Sequence, residues 1–400
     1  MGFSRILVWG VVGFGLVAPQ AAPPIGYWKL DEPASPVEES IAGADGTWNG
    51  PVQASTDVPA TITFPDCGSL RFRKVADAGA VNYVSLGRSA ALDASQNGSF
   101  TLSAWFKPAS IPSSTQGDPD TQYGIVLKTG LHEGLSMSGN AFVMGHWVGP
   151  NMPPAYVSTG YGTTVAQVGT WYHVAGVVDK QALKVRIYVN GSAPPFNAQA
   201  DIPAATPDAW PGYANAPWLI GINDPAGGGA RYQADGWIDD VRIYGTALTQ
   251  PEIQTLANGG TLGDPAVTPP AAPTNVQATA GVNQVQLTWN PVTGASSYNV
   301  KRSTTSGSES NYAVATTNSY LDRTVTPGTA HYYVVTALVG CTESSTSLET
   351  SAIPTAPIPP PPRTSKVGGE DNPCGCGTAD VALGGGVLAL SLLLLVLLRR

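Results

Sequence analysis

The chain has 400 residues, a formal net charge of −8 and only 12% charged residues, about half the usual share of roughly 25%. Such a balance offers no basic patch for nucleic acid or an anionic lipid surface. The 46 glycines and 35 prolines interrupt the sequence too often for an all-helical protein, and turns at this density mean many short strands.

From the N-terminus, Arg5 precedes an apolar run over residues 6–19, and the small residues Ala18, Ala21 and Ala22 follow. This is the layout of a secretory signal peptide, expected over residues 1–22. Residues 23–258 then read as strands. In residues 99–108, Phe100, Leu102, Ala104 and Phe106 alternate onto one face, the period of a β-strand. Residues 171–178 and 183–189 predict two more strands. The pair Asn190-Gly191 predicts a tight turn, and residues 218–222 and 236–244 complete the set. The only helix expected is at residues 249–256, where Thr249 caps, Pro251 suits the first turn and Glu252 faces the positive end of the dipole. About twelve short strands in one stretch predict a two-sheet sandwich.

Proline-rich joints follow. Residues 259–269 predict a linker, residues 270–356 a second β-domain, and residues 357–380 an extended stalk. Residues 381–398 are apolar with one polar member, Ser391, and Arg399 and Arg400 follow. At 1.5 Å per residue such a stretch is about 27 Å long, enough for a transmembrane helix. The terminal arginines place its end on the cytoplasmic side and the body outside.

Several segments carry a resemblance. Tyr27-Trp28-Lys29-Leu30-Asp31-Glu32, residues 43–50 and residues 100–106 come first. Residues 169–175 and 187–191, then residues 236–244 with Ala247-Leu248 and Glu252-Ile253, follow in order. Together they resemble a LamG-like jellyroll of the concanavalin A-like lectin/glucanase superfamily. Residues 270–356 resemble a fibronectin type III domain through Pro273, Trp289, Tyr298, Val300, Arg302, Asp322, Pro327-Gly328-Thr329 and Tyr333, with His331 standing where that family has its corner tyrosine. The tail, with Cys374-Gly375-Cys376, the apolar span and the arginine pair, resembles the MYXO-CTERM sorting signal. That resemblance implies processing by a sorting machinery, with lipidation or cleavage at Cys374 or Cys376. The fold class expected is therefore all-β: a jellyroll β-sandwich, an immunoglobulin-like fibronectin type III β-sandwich and one C-terminal transmembrane helix.

Catalytic signatures are sparse. Glycoside hydrolysis needs two carboxylates across a cleft, and the Glu-x-Asp-x-Glu strand of the laminarinase branch does not occur. His132, His146, His173 and His331 lack zinc spacing, and His173 reads as a satisfied sheet histidine. No catalytic residues are assigned. Asp239 shares a strand face with Val241 and Ile243 and is expected to be buried, with Asp240 facing solvent. A buried carboxylate requires an ion or hydrogen-bond donors. The jellyroll resemblance implies a structural calcium ion where the first strand meets the last, which brings in Asp31 and Asp239. Trp210 and Tyr213, in a proline-broken loop, and Trp147 and Tyr156 are aromatics that either pin loops or stack on sugar rings. Cys67 and Cys341 lie in different predicted domains and are either free thiols or a cross-domain bridge. The sequence thus points to an exported, membrane-anchored surface protein that binds an extracellular glycan or protein without catalysis. The alternatives are a glycan hydrolase or lyase and a purely structural surface protein.

Overall fold

The computed structural model describes residues 22–32, 35–38, 40–41, 44–74, 81–112, 122–128, 133–149, 155–159, 166–204, 216–222, 232–265 and 268–360. The signal-peptide residues 1–21, Trp210, Tyr213, Cys374, Cys376 and the expected span at 381–398 lie outside them. Among the described residues no helix is long and apolar enough to cross a membrane.

Two sheets make the first sandwich. The larger has eight strands, in the order Gln199–Asp201, Lys184–Val189, Tyr172–Asp179, Phe100–Pro108, Gly236–Tyr244, Ser69–Phe72 and Gln53–Ser55, with Gly26–Trp28 also paired to Gly236–Tyr244. The smaller has seven, in the order Ala155–Ser158, Ala141–Val148, Glu133–Ser138, Gln122–Lys128, Trp218–Ile220, Tyr83–Ser85 and Thr47–Asn49. Neighbouring pairs are antiparallel.

The alternation in Phe100–Pro108 does what its period demands: Phe100, Leu102 and Phe106 are buried in the core between the sheets with Trp28, Leu135 and Ile238. The opposite face of the eight-stranded sheet is also covered. Helix Gln250–Ala257 lays Ile253 and Leu256 against Ala175, Val177, Tyr188 and Tyr244. The Thr101 hydroxyl donates to the Thr246 carbonyl at 2.8 Å and accepts the Leu248 N–H at 2.9 Å. Glu252 reaches back to the Thr249 N–H at 2.7 Å, the capping box that fixes where this helix starts. A second, shorter helix, Ala90–Ala94, was not expected. Its cap is Ser89, whose hydroxyl accepts the Leu92 N–H at 3.2 Å, and Leu92 is buried. The Asn190-Gly191 turn has φ of 49° and 77° at its two residues, the left-handed pair a two-residue hairpin turn requires.

The second sandwich pairs a three-stranded sheet, Gln277–Gly281, Gln284–Thr288 and Ser319–Asp322, with a five-stranded one, Ser310–Ala315, Ser297–Ser303, His331–Val339, Thr342–Glu343 and Thr350–Ala352. Trp289 packs in its core, with its ring 5.3 Å from that of Tyr298. This is the fibronectin type III arrangement. His331 is buried and accepts the Thr326 N–H at 3.1 Å, so it ties down the backbone five residues upstream, as a corner residue must.

The expected linker is not free of the first sandwich. The Gly259 carbonyl accepts the Thr63 N–H and hydroxyl at 3.1 and 2.7 Å, and Asp264 pairs with Arg242 at 2.7 Å.

Candidate functional site

The closing strand Gly236–Tyr244 has one flank paired to Phe100–Pro108 on both sides of a register shift between Asp239 and Arg242. Its other flank is shared: Ser69–Phe72 takes Gly236, Trp237 and Ile238, and Gly26–Trp28 takes Val241, Arg242 and Ile243. Asp239 and Asp240 fall in the gap between these two partners. Here the register with Phe100–Pro108 also slips, and Asp240 has φ of 53°. A bulge of this kind re-aims side chains and ends the simple alternation.

That bulge overturns the expectation for Asp240. It is buried, 2% exposed, rather than solvated. It forms an ion pair with Arg242, which also holds Asp264 and lies 4.2 Å from the centre of the Tyr27 ring. One guanidinium thereby faces two carboxylates and a tyrosine ring, and Asp240 has a cationic partner for one of its two oxygens.

Asp239 has none. It is fully buried, and neither carboxylate oxygen meets a donor in hydrogen-bond geometry. Two chain segments that enter the gap bring more acid. Asp31 accepts the N–H groups of Cys67 and Gly68 at 3.1 and 2.9 Å, and the Gly68 N–H also reaches an Asp66 carboxyl oxygen at 3.4 Å. Burial, then the charges of Asp66, Asp240 and Asp31, hold the Asp239 carboxyl well above the usual carboxylate range. Burial and the Asp31 charge push Asp66 up to about 8, and burial pushes Glu32 up to about 7. Carboxyls in this state either keep protons or gain a cation. Oxygen donors, excess negative charge and two orphaned buried oxygens suit a hard divalent ion such as calcium. Asp239, Asp31 and Asp66 do not present one oxygen each within 4.8 Å of one another; among the described residues the only such set is Asp31, Cys67 and Cys341, so Asp31 and Asp239 would need backbone oxygens to complete a site. Asp66 escaped the sequence reading because a loop residue 35 positions from Asp31 announces no pairing.

The second domain reaches this site. Cys67 and Cys341 form a disulfide with their Cα atoms 5.5 Å apart, which resolves the two cysteines as a bridge between the sandwiches. Both sulfurs lie within 4.8 Å of an Asp31 oxygen. Since they are bonded to each other, neither is a thiolate, and the trio is not a sulfur metal site. Around the bridge runs a groove of about 970 Å³, lined by Asp31, Glu32 and Glu38 on one side and by Ser296, Val339 and Thr342 on the other.

The aromatic residues lie elsewhere. Trp147 and Tyr156 are direct cross-strand partners at the edge of the seven-stranded sheet, with ring centres 4.8 Å apart and planes tilted by 43°. Their neighbours Met144, Val148 and Val157 point into the core, so both rings stand on the outer face. Tyr156 is 38% exposed and Trp147 half-buried. Two strands in from this edge, Glu133 is buried and pairs with His146 at 3.1 Å. His173 is buried against Ser103, its Nε2 2.9 Å from the hydroxyl.

Residues 78–254 match the family model of the concanavalin A-like lectin/glucanases superfamily. An amylopullulanase of Thermoanaerobacterium saccharolyticum is 36% identical over 96 residues, which are 23% of this chain and 7% of that protein, so the chain spans only a small part of that relative. A solved fibronectin-like protein from Clostridium thermocellum is 39% identical over 23% of this chain and 97% of its own, with a TM-score of 0.20. The binding domain of botulinum neurotoxin DC, solved in complex with rat synaptotagmin II, is 13% identical over 78% of this chain and 73% of its own, with a TM-score of 0.40.

Proposed function

We propose, from a first domain that belongs to the concanavalin A-like lectin/glucanases superfamily, that this protein is a cell-surface, non-catalytic binding protein for an extracellular glycan or protein. The observation that carries the reading is the Trp147–Tyr156 pair on the outer face of the seven-stranded sheet. Sugars present apolar C–H faces that stack on such rings, and aromatic side chains serve protein partners equally well. Trp210 and Tyr213 are proposed, from the sequence alone, as further aromatic ligand contacts.

The acidic cluster has a different task. Calcium at Asp31 and Asp239, the pair the jellyroll resemblance implies, would supply the positive charge that the gap lacks. Asp31, through the Cys67 and Gly68 amides, then ties the first strand to the chain that enters Ser69–Phe72. The second domain serves as a spacer. Export through the signal peptide, anchoring through residues 381–398 and processing at Cys374 or Cys376 complete the proposal. The disulfide supports export, since such bonds persist outside a reducing cytoplasm.

A glycan array probed with the purified chain, with calcium and with chelator, tests the reading. Saturable binding to a defined subset of glycans, weakened by Trp147→Ala, is expected. Absence of saturable binding to any glycan or extracellular protein overturns it.

A further inference from the structure

The groove of about 970 Å³ around the Cys67–Cys341 bond has the size of a ligand site and lies where such sites concentrate, between two domains. The disulfide joins its walls covalently. One wall is acidic. Among the described lining residues, Asp31, Glu32 and Glu38 stand against a single cation, Lys29. Asp31 is held by the Cys67 and Gly68 amides. Glu32 is half-satisfied: its Oε1 accepts the Glu38 N–H at 3.1 Å, and its Oε2 is buried with no donor. Glu38 is exposed. This wall is complemented by a positive group that carries N–H donors. The second feature is backbone. Gln53–Ser55 is the last strand of the eight-stranded sheet, paired to Ser69–Phe72 on one flank only. Ala54, Ser55 and Thr56 line the groove, so the open edge of that sheet borders it. Across the groove, Thr342–Glu343 ends the five-stranded sheet, and Thr342 lines the other wall. A sheet edge offers a row of N–H and C=O groups with which another extended chain can pair.

We propose that this groove is an interaction surface for a protein partner, which enters as an extended segment bearing lysine or arginine at alternate positions and adds to the edge strand Gln53–Ser55. This assigns the protein partner of the function proposed above to the groove, and rests on that function for the meeting place outside the cell. Charge and shape choose the occupant. No aromatic ring stands among the described lining residues, so a sugar finds no stacking platform here. A second copy of this chain, at a net charge of −8, brings the wrong sign to an acidic wall. A basic extended segment meets both needs. Its backbone pairs with the sheet edge, and its side chains fall on one face at every second position, where Glu32 and Glu38 receive them.

The test uses the full, oxidised chain and three fluorescein-labelled pools of synthetic nonapeptides, with binding read by equilibrium dialysis. The first pool has lysine at every second position and random neutral residues between. The second has glutamine in place of lysine. The third keeps the lysines and carries N-methylated amides at the positions between. Retention of the first pool above the other two is expected. It should fall as added salt shortens the reach of charge. Glu32→Gln and Glu38→Gln should each weaken it about two- to fivefold, the range of a surface ion pair. Equal retention of the first two pools, or no effect of either substitution, overturns the acidic groove as the site. Equal retention of the first and third pools overturns strand addition. A change of oligomeric state on Glu38→Gln, with no pool retained, gives the groove to a second copy and also overturns the proposal. Saturable glycan binding by the same preparation, with no preference for the lysine pool, overturns the groove and leaves the function proposed above standing. No glycan binding and no retention of any pool overturns both.

Discussion

Asp239 in the first sandwich and Asp322 in the second are equally buried, each with no exposed surface, yet their surroundings are opposite. Asp322 accepts the Arg302 guanidinium at 2.8 Å, the Tyr333 hydroxyl at 2.9 Å, the Thr324 N–H at 3.0 Å and the Tyr312 hydroxyl at 3.1 Å. Burial works against its charge, but the Arg302, Thr324 and Tyr333 hydrogen bonds outweigh it and hold the carboxyl below its usual range. Asp239 has acidic neighbours and only a weak approach of the Asp240 N–H to set against them, and sits well above that range. Burial alone therefore says little about a carboxylate. The donors around it decide whether it is a structural anchor or a place where something is still to bind.

The largest expected effect breaks the first half of this comparison. Asp322→Ala should cost the second domain about 3 kcal/mol, since it strands a part-buried arginine and two tyrosine hydroxyls. Asp239→Asn, without calcium, should cost the first domain nothing. Chemical denaturation resolves the two, and a large loss from Asp239→Asn would mean that its charge is already compensated. Next, calcium at a hundredfold excess over its Kd should add about 2.7 kcal/mol to the natural first domain and nothing to Asp239→Asn, read as a shift in thermal midpoint.

Acid should separate the sandwiches further. Burial, then the Arg242 charge, pushes His173 down to about 3. Its folded pKa lies below the unfolded value of about 6.5, so its contribution is present above that value and fades as the pH falls toward 3. His173 alone should contribute a loss of up to about 1.4 kcal/mol per pH unit in that window, read as the difference between the natural chain and His173→Gln, because the raised Asp239, Asp66 and Glu32 carboxyls act in the opposite sense. Asp322 and Glu343 also have lowered values, Glu343 to about 2, so the second domain should hold until the pH falls below about 4. A difference between the natural chain and His173→Gln that does not change with pH would contradict this. The smallest effect concerns the ligand surface. Trp147→Ala should cost about 0.5–1.5 kcal/mol of binding, measured as a change in Kd for a glycan identified on the array.

Local rules carried the sequence reading well where local forces decide. The alternation in Phe100–Pro108, the Asn190-Gly191 turn and the Thr249–Glu252 cap each follow from neighbours in the chain. Asp239 is buried, but not through the expected alternation, because the bulge puts its neighbour Ile238 in the core with Val241 and Ile243. Asp240 was misread because the bulge suspends the two-residue period, and nothing in Trp237-Ile238-Asp239-Asp240 encodes a bulge. Asp66, the Arg242–Asp264 pair and the Cys67–Cys341 bond are contacts across 22 to 274 positions. Only the completed fold brings them together. The gap that makes the acidic cluster is a property of two strands sharing one flank, and no single segment contains it.

The central claim is that the first domain holds its ligand without altering it. The direct measurement incubates the purified chain with end-labelled extracellular polysaccharides, quantifies the bound fraction and sizes the recovered polymer. The account predicts saturable binding with polymer length unchanged. Shortened polymer would contradict it.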